Sequence, residues 1–159
     1  QLCIRQLEKV VKEDTRLLDV GTGSGILGIT ALKLGAKEVK GTDLDENAIV
    51  AVGENLKANG IEPEQFQVMQ GNILDDPTVQ QWAGFGCYDV AVANILADVI
   101  IPLVDEIPVH LKKGGIFISS GIINLKEQAV LEAFSRNQEL EVTEVTRQGE
   151  WVSVTARRK

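Results

Sequence analysis

A regular alternation of short apolar runs with helical patterns constrains the fold of this chain more than any other feature. Five short runs are typical of buried parallel strands, and they cover residues 16–20, 39–42, 66–69, 88–93 and 115–120. Helical periodicity lies before, between and after them, at residues 2–11, 25–34, 45–59, 100–111 and 126–136. Residues 71–87 show no such pattern, and we expect them to be irregular.

The end of the chain has a different pattern. Residues 139–146 and 151–156 are two further strand-like runs that are separated only by Arg147-Gln148-Gly149-Glu150. So short a link favours an antiparallel hairpin over another crossover. The whole pattern predicts an α/β fold with a doubly wound, mostly parallel seven-stranded sheet and a C-terminal antiparallel hairpin, in one domain that covers residues 1–159.

Charge and composition exclude several classes of function. The chain has 16 Lys and Arg residues against 23 Asp and Glu residues, a net charge of −7, which argues against direct nucleic-acid binding. No apolar run approaches the ~20 residues that span a membrane. A zinc site is not expected, because the chain has one His and its two Cys residues, Cys3 and Cys87, form no closely spaced pair. Two free thiols indicate a reducing compartment, so we expect a cytoplasmic protein.

The loop after the first predicted strand is rich in glycine. It runs Asp19-Val20-Gly21-Thr22-Gly23-Ser24-Gly25, and doubly wound sheets bind ligands at such exit loops. About twenty residues further on, Asp43 ends the second predicted strand, where a carboxylate accepts hydrogen bonds from both hydroxyls of a ribose. Loop and acid together predict a ligand that contains adenosine.

The residues leave the choice between two such ligands open. Residues 23–28 also satisfy the GxGxxG pattern of nicotinamide-binding proteins. Asp19 favours the other ligand, S-adenosylmethionine, because a carboxylate two residues before Gly21 suits a cationic ligand and repels a pyrophosphate. A second interpretation of Asp19 is that its carboxylate only caps neighbouring backbone amides.

Three segments resemble the class I methyltransferases: LLDVGTGSGIL (17–27), GTDLDENAI (41–49) and YDVAVANILA (88–97). The similarity to the PrmA family in particular lies in QLCIRQLE (1–8), in GEW (149–151) and in ANILA (93–97), which is the end of the third segment. The resemblance covers essentially all 159 residues. It implies a Rossmann-like methyltransferase that uses S-adenosylmethionine to methylate amino groups, on a lysine side chain or the N-terminus, of a protein of the large ribosomal subunit's stalk base.

The resemblance also implies roles for individual residues. Gly21 and Gly23 approach the methionine and ribose part of the cofactor, and Asp43 holds the ribose hydroxyls. Leu44, Asn72 and Ile73 border the adenine.

Asn94 is the implied catalytic residue, next to the transferred methyl group, where its carbonyl accepts N–H bonds from the amine. Its alternative role is that of a turn former at the end of a strand. Related enzymes that modify adenine or glutamine amides carry Asn-Pro-Pro-Tyr where this chain has Asn94-Ile95-Leu96-Ala97, so a base-modifying enzyme is disfavoured.

Two other functions remain open at this stage: methylation of a small molecule, and cofactor binding without catalysis. In the PrmA family a small N-terminal domain recognises the substrate, and an HPTT segment closes over the cofactor. Because this chain begins just after the place of that segment, we expect it to lack both parts, to bind cofactor weakly and to methylate poorly.

The sequence allows two interpretations for each of three aromatic residues. Trp82 and Phe85 either cover the ligand pocket or pack beneath a loop, and Trp151 lies either near the active site or in the core. His110 is expected at the surface or at a helix cap.

Overall fold

The computed structural model describes all 159 residues, and it contains one sheet of seven strands. The strands are β1 (Arg16–Val20), β2 (Glu38–Asp43), β3 (Phe66–Gln70), β4 (Tyr88–Asn94), β5 (Leu111–Ile123), β6 (Leu140–Gln148) and β7 (Trp151–Arg158). Their order across the sheet is β3-β2-β1-β4-β5-β7-β6. The first five strands are parallel, and β7 is antiparallel to both β5 and β6. The predicted fold class, including the C-terminal hairpin, is confirmed.

Six helices connect and cover the strands. They are α1 (Leu2–Val10), α2 (Ile26–Lys33), α3 (Asn47–Ala58), α4 (Pro77–Ala83), α5 (Ala97–Glu106) and α6 (Glu127–Arg136). Three single 3₁₀ turns lie at Pro63–Gln65, Ile107–Val109 and Asn124–Lys126. None of the helices combines the length and the apolar composition that a membrane crossing requires.

The sheet buries an apolar core on each of its two faces. Neighbouring residues of a strand point to opposite faces, so Leu17 lies in the core with α1, α2 and α3, whereas Leu18 lies in the core with α4, α5 and α6. Both residues are fully buried. This two-faced burial explains why the parallel strands are continuous apolar runs without alternation.

The strand order reverses between β1 and β4. From β1 the chain moves outward to β2 and β3, and it then returns to place β4 on the other side of β1. The connections after β1 and β4 therefore leave the sheet in opposite directions and open a crevice at the carboxyl ends of these strands.

The structure corrects two of the predicted elements. Residues 71–87 are not wholly irregular, because they contain α4, which begins with Pro77 and is capped by the Asp76 carboxylate accepting the Thr78 N–H at 2.9 Å. The helix predicted at 100–111 instead begins at Ala97 and ends at Glu106. It is followed by a 3₁₀ turn at Pro108 and by β5, which begins at Leu111 rather than Gly115.

His110 is the C-terminal cap of the 3₁₀ turn at Ile107–Val109, so the prediction of a helix cap is confirmed, and the alternative prediction of a surface position is wrong. Its side chain is fully buried. Nδ1 lies 2.7 Å from the Gly84 carbonyl oxygen and Nε2 lies 2.8 Å from a Glu106 carboxylate oxygen. Each ring nitrogen thus has a hydrogen-bond partner inside the protein, which offsets the cost of burying this polar ring.

Trp82 and Phe85 do not cover a ligand pocket. The half-buried Trp82 packs beneath Lys40, whose Nζ lies 4.6 Å from the ring centroid. Phe85 is exposed and stacks on His110 with 5.3 Å between the ring centroids. The packing interpretation is confirmed for Trp82, which contacts the apolar core, and neither residue lines a cavity at the carboxyl ends of the strands.

Candidate functional site

Two cavities open at the carboxyl ends of the parallel strands. The first, of about 470 Å³, lies between the ends of β1, β2 and β3 and the start of α5. The second, of about 480 Å³, lies between the ends of β4 and β5, the start of β7 and the start of α1. Each has the size of a small-molecule site, and together they occupy the crevice that the strand order predicts.

The glycine loop that borders the first cavity is tied to β2. The N–H groups of Gly21 and Thr22 both donate to the Thr42 carbonyl, at 2.8 and 3.0 Å. Gly21, Gly23 and Gly25 have φ angles of +73°, +56° and +85°, a region that disfavours any residue with a side chain. A Cβ at Gly21 would lie 2.6 Å from Cγ2 of Ile95, so the glycine also allows β4's exit loop to approach.

Asp43 lies half-buried at the rim of the first cavity. Its Oδ2 accepts the Gly23 N–H at 2.8 Å, and its Oδ1 accepts the Asp45 N–H at 2.9 Å. These two bonds fix the orientation of the carboxylate before any ligand arrives. Each oxygen has a second lone pair, so the group can still accept a pair of ligand hydroxyls.

Four of the predicted site residues besides Asp43 also line the first cavity. They are Gly21, Leu44, Asn72 and Ile73. Leu44 is exposed at the rim, and Ile73 is buried behind it. Leu74, Ile95, Leu96, Val99 and Leu103 complete the mainly apolar walls. Such walls suit a flat, weakly polar ring system.

Asp19 lines neither cavity. Its carboxylate is buried within β1 and accepts the hydroxyl of Thr22 at 2.8 Å. The pKa of this carboxyl is raised to about 6, mainly by burial and to a smaller extent by the nearby charge of Asp43, although hydrogen bonds from Thr22 and the Gly28 backbone lower it. This arrangement is of the kind that the capping interpretation predicted, and contact with a cationic ligand stays a prediction.

Asn94 and Trp151 line the second cavity. Asn94 is the last residue of β4 and is exposed. Trp151, the first residue of β7, is 52% exposed, so the core interpretation of Trp151 is wrong. The structure therefore separates Asn94 from the residues around Asp43, with Ile95 lying against Gly21 between them.

Five further residues of the second cavity are not predicted from the sequence, namely Gln1, Leu2, Ser120, Gly121 and Gln148. Ser120 and Gly121 lie near the end of β5, and Gln148 ends β6. A Ser-Gly pair at a strand end signals a turn or bulge, but nothing in the sequence indicates that it faces Asn94. No group of three or more His, Cys, Asp or Glu side chains is placed to hold a metal ion.

The sheet order is that of the Rossmann-like methyltransferase fold. The family model described as ribosomal protein L11 methyltransferase (PrmA) matches residues 1–159, so the chain belongs to this family, as its motifs predicted.

Three known proteins illustrate the similarity. The ribosomal protein L11 methyltransferase of Lachnospira eligens is 54% identical over 159 residues, which are 100% of this chain and 50% of that protein. The crystal structure of ribosomal protein L11 methylase from Lactobacillus delbrueckii subsp. bulgaricus has a TM-score of 0.87 at 34% identity, covering 99% of this chain and 77% of that one. A TehB-like SAM-dependent methyltransferase from Corynebacterium glutamicum has a TM-score of 0.74 over 99% of this chain and 87% of its own, and at 19% identity it shows the fold alone. The chain spans about half the length of the curated relatives it matches.

Proposed function

We propose that this chain is the domain of a ribosomal protein L11 methyltransferase that binds S-adenosylmethionine and transfers its methyl group to amino groups of the substrate protein. The observation that carries this proposal is the Asp43 carboxylate, which two backbone N–H groups hold at the rim of an apolar cavity. We infer the reaction from the family to which the chain belongs, and the substrate from the names of its relatives.

The residues of the first cavity fit the adenosine part of this cofactor. Asp43 accepts the two ribose hydroxyls, and Leu44 and Ile73 contact the adenine ring, with Asn72 at its polar edge. Gly21 and Gly23 let the backbone approach the ribose and methionine.

The topology favours this cofactor over a nicotinamide. Dinucleotide-binding sheets have the order 3-2-1-4-5-6, whereas here the antiparallel β7 lies between β5 and β6. The GxGxxG match also has another explanation. Gly28 packs against Phe66 and Val39, so it brings α2 close to the sheet and does not face the cavity.

Asn94 and Trp151 orient the amine in the second cavity. When bound, the cofactor supplies an electrophilic methyl group on a sulfonium. The Asn94 side-chain carbonyl accepts an N–H bond and directs the nitrogen lone pair, so that proximity and alignment account for the acceleration. Asn94 is no base, and the lysine amine starts near pKa ~10.4. The amine therefore loses its proton to solvent as it is desolvated beside Trp151.

A methyl-transfer assay tests this function. The chain is incubated with labelled S-adenosylmethionine and purified L11, beside a version extended upstream by its natural sequence, because the relatives are about twice as long. We expect label on amino groups of L11, and more label with the extended version. An enzyme that methylates a ribosomal protein would act in the cytoplasm. Absence of label with both versions, or label on atoms other than amine nitrogens, contradicts the proposal.

A further inference from the structure

A break in strand pairing lies directly beside Asn94. Ser119 of β5 pairs with Val154 of β7, and the next pair is Ile122 with Val152. Three steps along β5 thus oppose two along β7, which is a β-bulge that consists of Ser120 and Gly121. On the other side of β5, towards β4, Ser120 pairs with Asn94, and the Ile95 N–H donates to the Ser120 carbonyl at 3.2 Å.

Gly121 leaves the space that the Asn94 amide occupies. A Cβ at Gly121 would lie 2.8 Å from Asn94 Oδ1, closer than a Cβ tolerates, and 3.1 Å from the Ile95 carbonyl oxygen. Gly121 has a φ of +79°, which favours glycine. The bulge and the missing side chain together leave room for Oδ1 of Asn94 and for the backbone of Ile95, and the shortest distance is the one to Asn94.

We infer that Gly121 is a positioning residue for methyl transfer: its bulge and its lack of a side chain set the orientation of the Asn94 amide toward the substrate amine. This inference rests on the proposed function of Asn94. Gly121 itself donates nothing to the reaction. A bulge at this place is also a common means of redirecting a strand near an active site.

The same strand provides a matched control. Gly114, at the opposite end of β5, has a φ of +81°, and no atom lies within 4 Å of the place of its Cβ. Gly114→Ala and Gly121→Ala therefore both place an alanine at a positive φ, with similar backbone strain. Only Gly121→Ala introduces a collision with Asn94.

The experiment compares kinetics and cofactor binding of the two variants. We expect Gly121→Ala to lower kcat roughly 10–100-fold, with the Kd for S-adenosylmethionine unchanged, and Gly114→Ala to keep the kcat of the unaltered protein. In an Asn94→Ala background, Gly121→Ala should cause no further loss of kcat. An unchanged kcat in Gly121→Ala, or an equal further loss in the Asn94→Ala background, overturns the inference.

A spectroscopic readout separates this inference from the proposed function. The side-chain amide resonance of Asn94 should shift in Gly121→Ala and stay in place in Gly114→Ala. An unmoved resonance overturns the inference whatever the activity, whereas a shifted one in a protein that transfers no methyl group refutes only the proposed function. If Gly121→Ala does not fold, adding Asn94→Ala should restore folding, and failure to do so counts against the inference.

Discussion

Two aspartates beside the glycine loop have the same charged group in very different surroundings. Asp43 is half-buried at a cavity rim, where two backbone N–H groups bind it. Asp19 is buried inside β1, where burial raises its pKa. Each Asp43 oxygen keeps a lone pair free at the cavity rim, whereas the Asp19 carboxylate accepts a hydrogen bond from Thr22 of the glycine loop.

Replacing Asp43 tests its contact with the ribose. Asp43→Ala removes two charge-assisted hydrogen bonds of roughly 1.5–3 kcal/mol each, so calorimetry should show at least a tenfold loss of affinity for S-adenosylmethionine. Asp45→Ala is the control, because it removes an equal charge two residues away, from a carboxylate that accepts the Asn47 N–H at 2.9 Å. Equal affinities in the two variants would rule out the ribose contact.

The raised pKa of the buried Asp19 carboxyl predicts how the stability of the protein depends on pH. Its pKa is raised from 3.8 to about 6 in the folded protein, so the folded state binds the proton more tightly than the unfolded state does. The penalty for burying the charge is absent below pH 3.8, grows up to about pH 6 and is constant above. The free energy of unfolding of Asp19→Asn minus that of the unaltered protein should therefore rise by roughly 2–3 kcal/mol between pH 4 and pH 7. Urea unfolding measures this difference, in which the other carboxylates cancel, and a difference independent of pH would show that Asp19 is not a buried charge.

At the scale of the element, two helical glycines have opposite surroundings. A Cβ on Gly28 of α2 would lie 2.3 Å from Cε2 of Phe66, whereas a Cβ on Gly53 of α3 would meet nothing within 4 Å. Gly28→Ala should lower the free energy of unfolding by about 1–3 kcal/mol through overpacking. Gly53→Ala should raise it by roughly 0.5–1 kcal/mol through helix propensity. An unchanged or higher free energy of unfolding for Gly28→Ala in urea unfolding would contradict the packing of α2 on the sheet.

The elements also show how far the sequence predicts the fold. The parallel strands are predictable because each is a continuous apolar run that both faces of the sheet bury. The start of β5 is not, because Lys112, Lys113 and Gly114 are exposed and polar although they continue the strand from Leu111. The short α4 has two signals, the Asp76 cap and Pro77 at its first position, but only Val79 and Ala83 of its seven residues are buried, too few for a helical period.

At the scale of the whole molecule, the site combines residues that are far apart in the chain. The sequence predicts Gly21 and Asp43 together, because adjacent parallel strands end at the same edge of the sheet. It does not predict that Asn94 lies in a separate cavity with Gly121 and Trp151. That placement depends on the β5 bulge and on Ile95 packing against Gly21, and contacts of this kind leave no periodic signal.

Calorimetric titration of S-adenosylmethionine and of NADH into the protein tests the central claim, that the crevice between β1 and β4 is a methyl-donor site. We predict binding of S-adenosylmethionine at one site and no binding of NADH. A ligand that binds only the folded state also stabilises it, by an amount that grows with the logarithm of its concentration divided by its Kd, so S-adenosylmethionine alone should raise the melting temperature. Binding of NADH in place of S-adenosylmethionine, or binding of neither, would contradict the account.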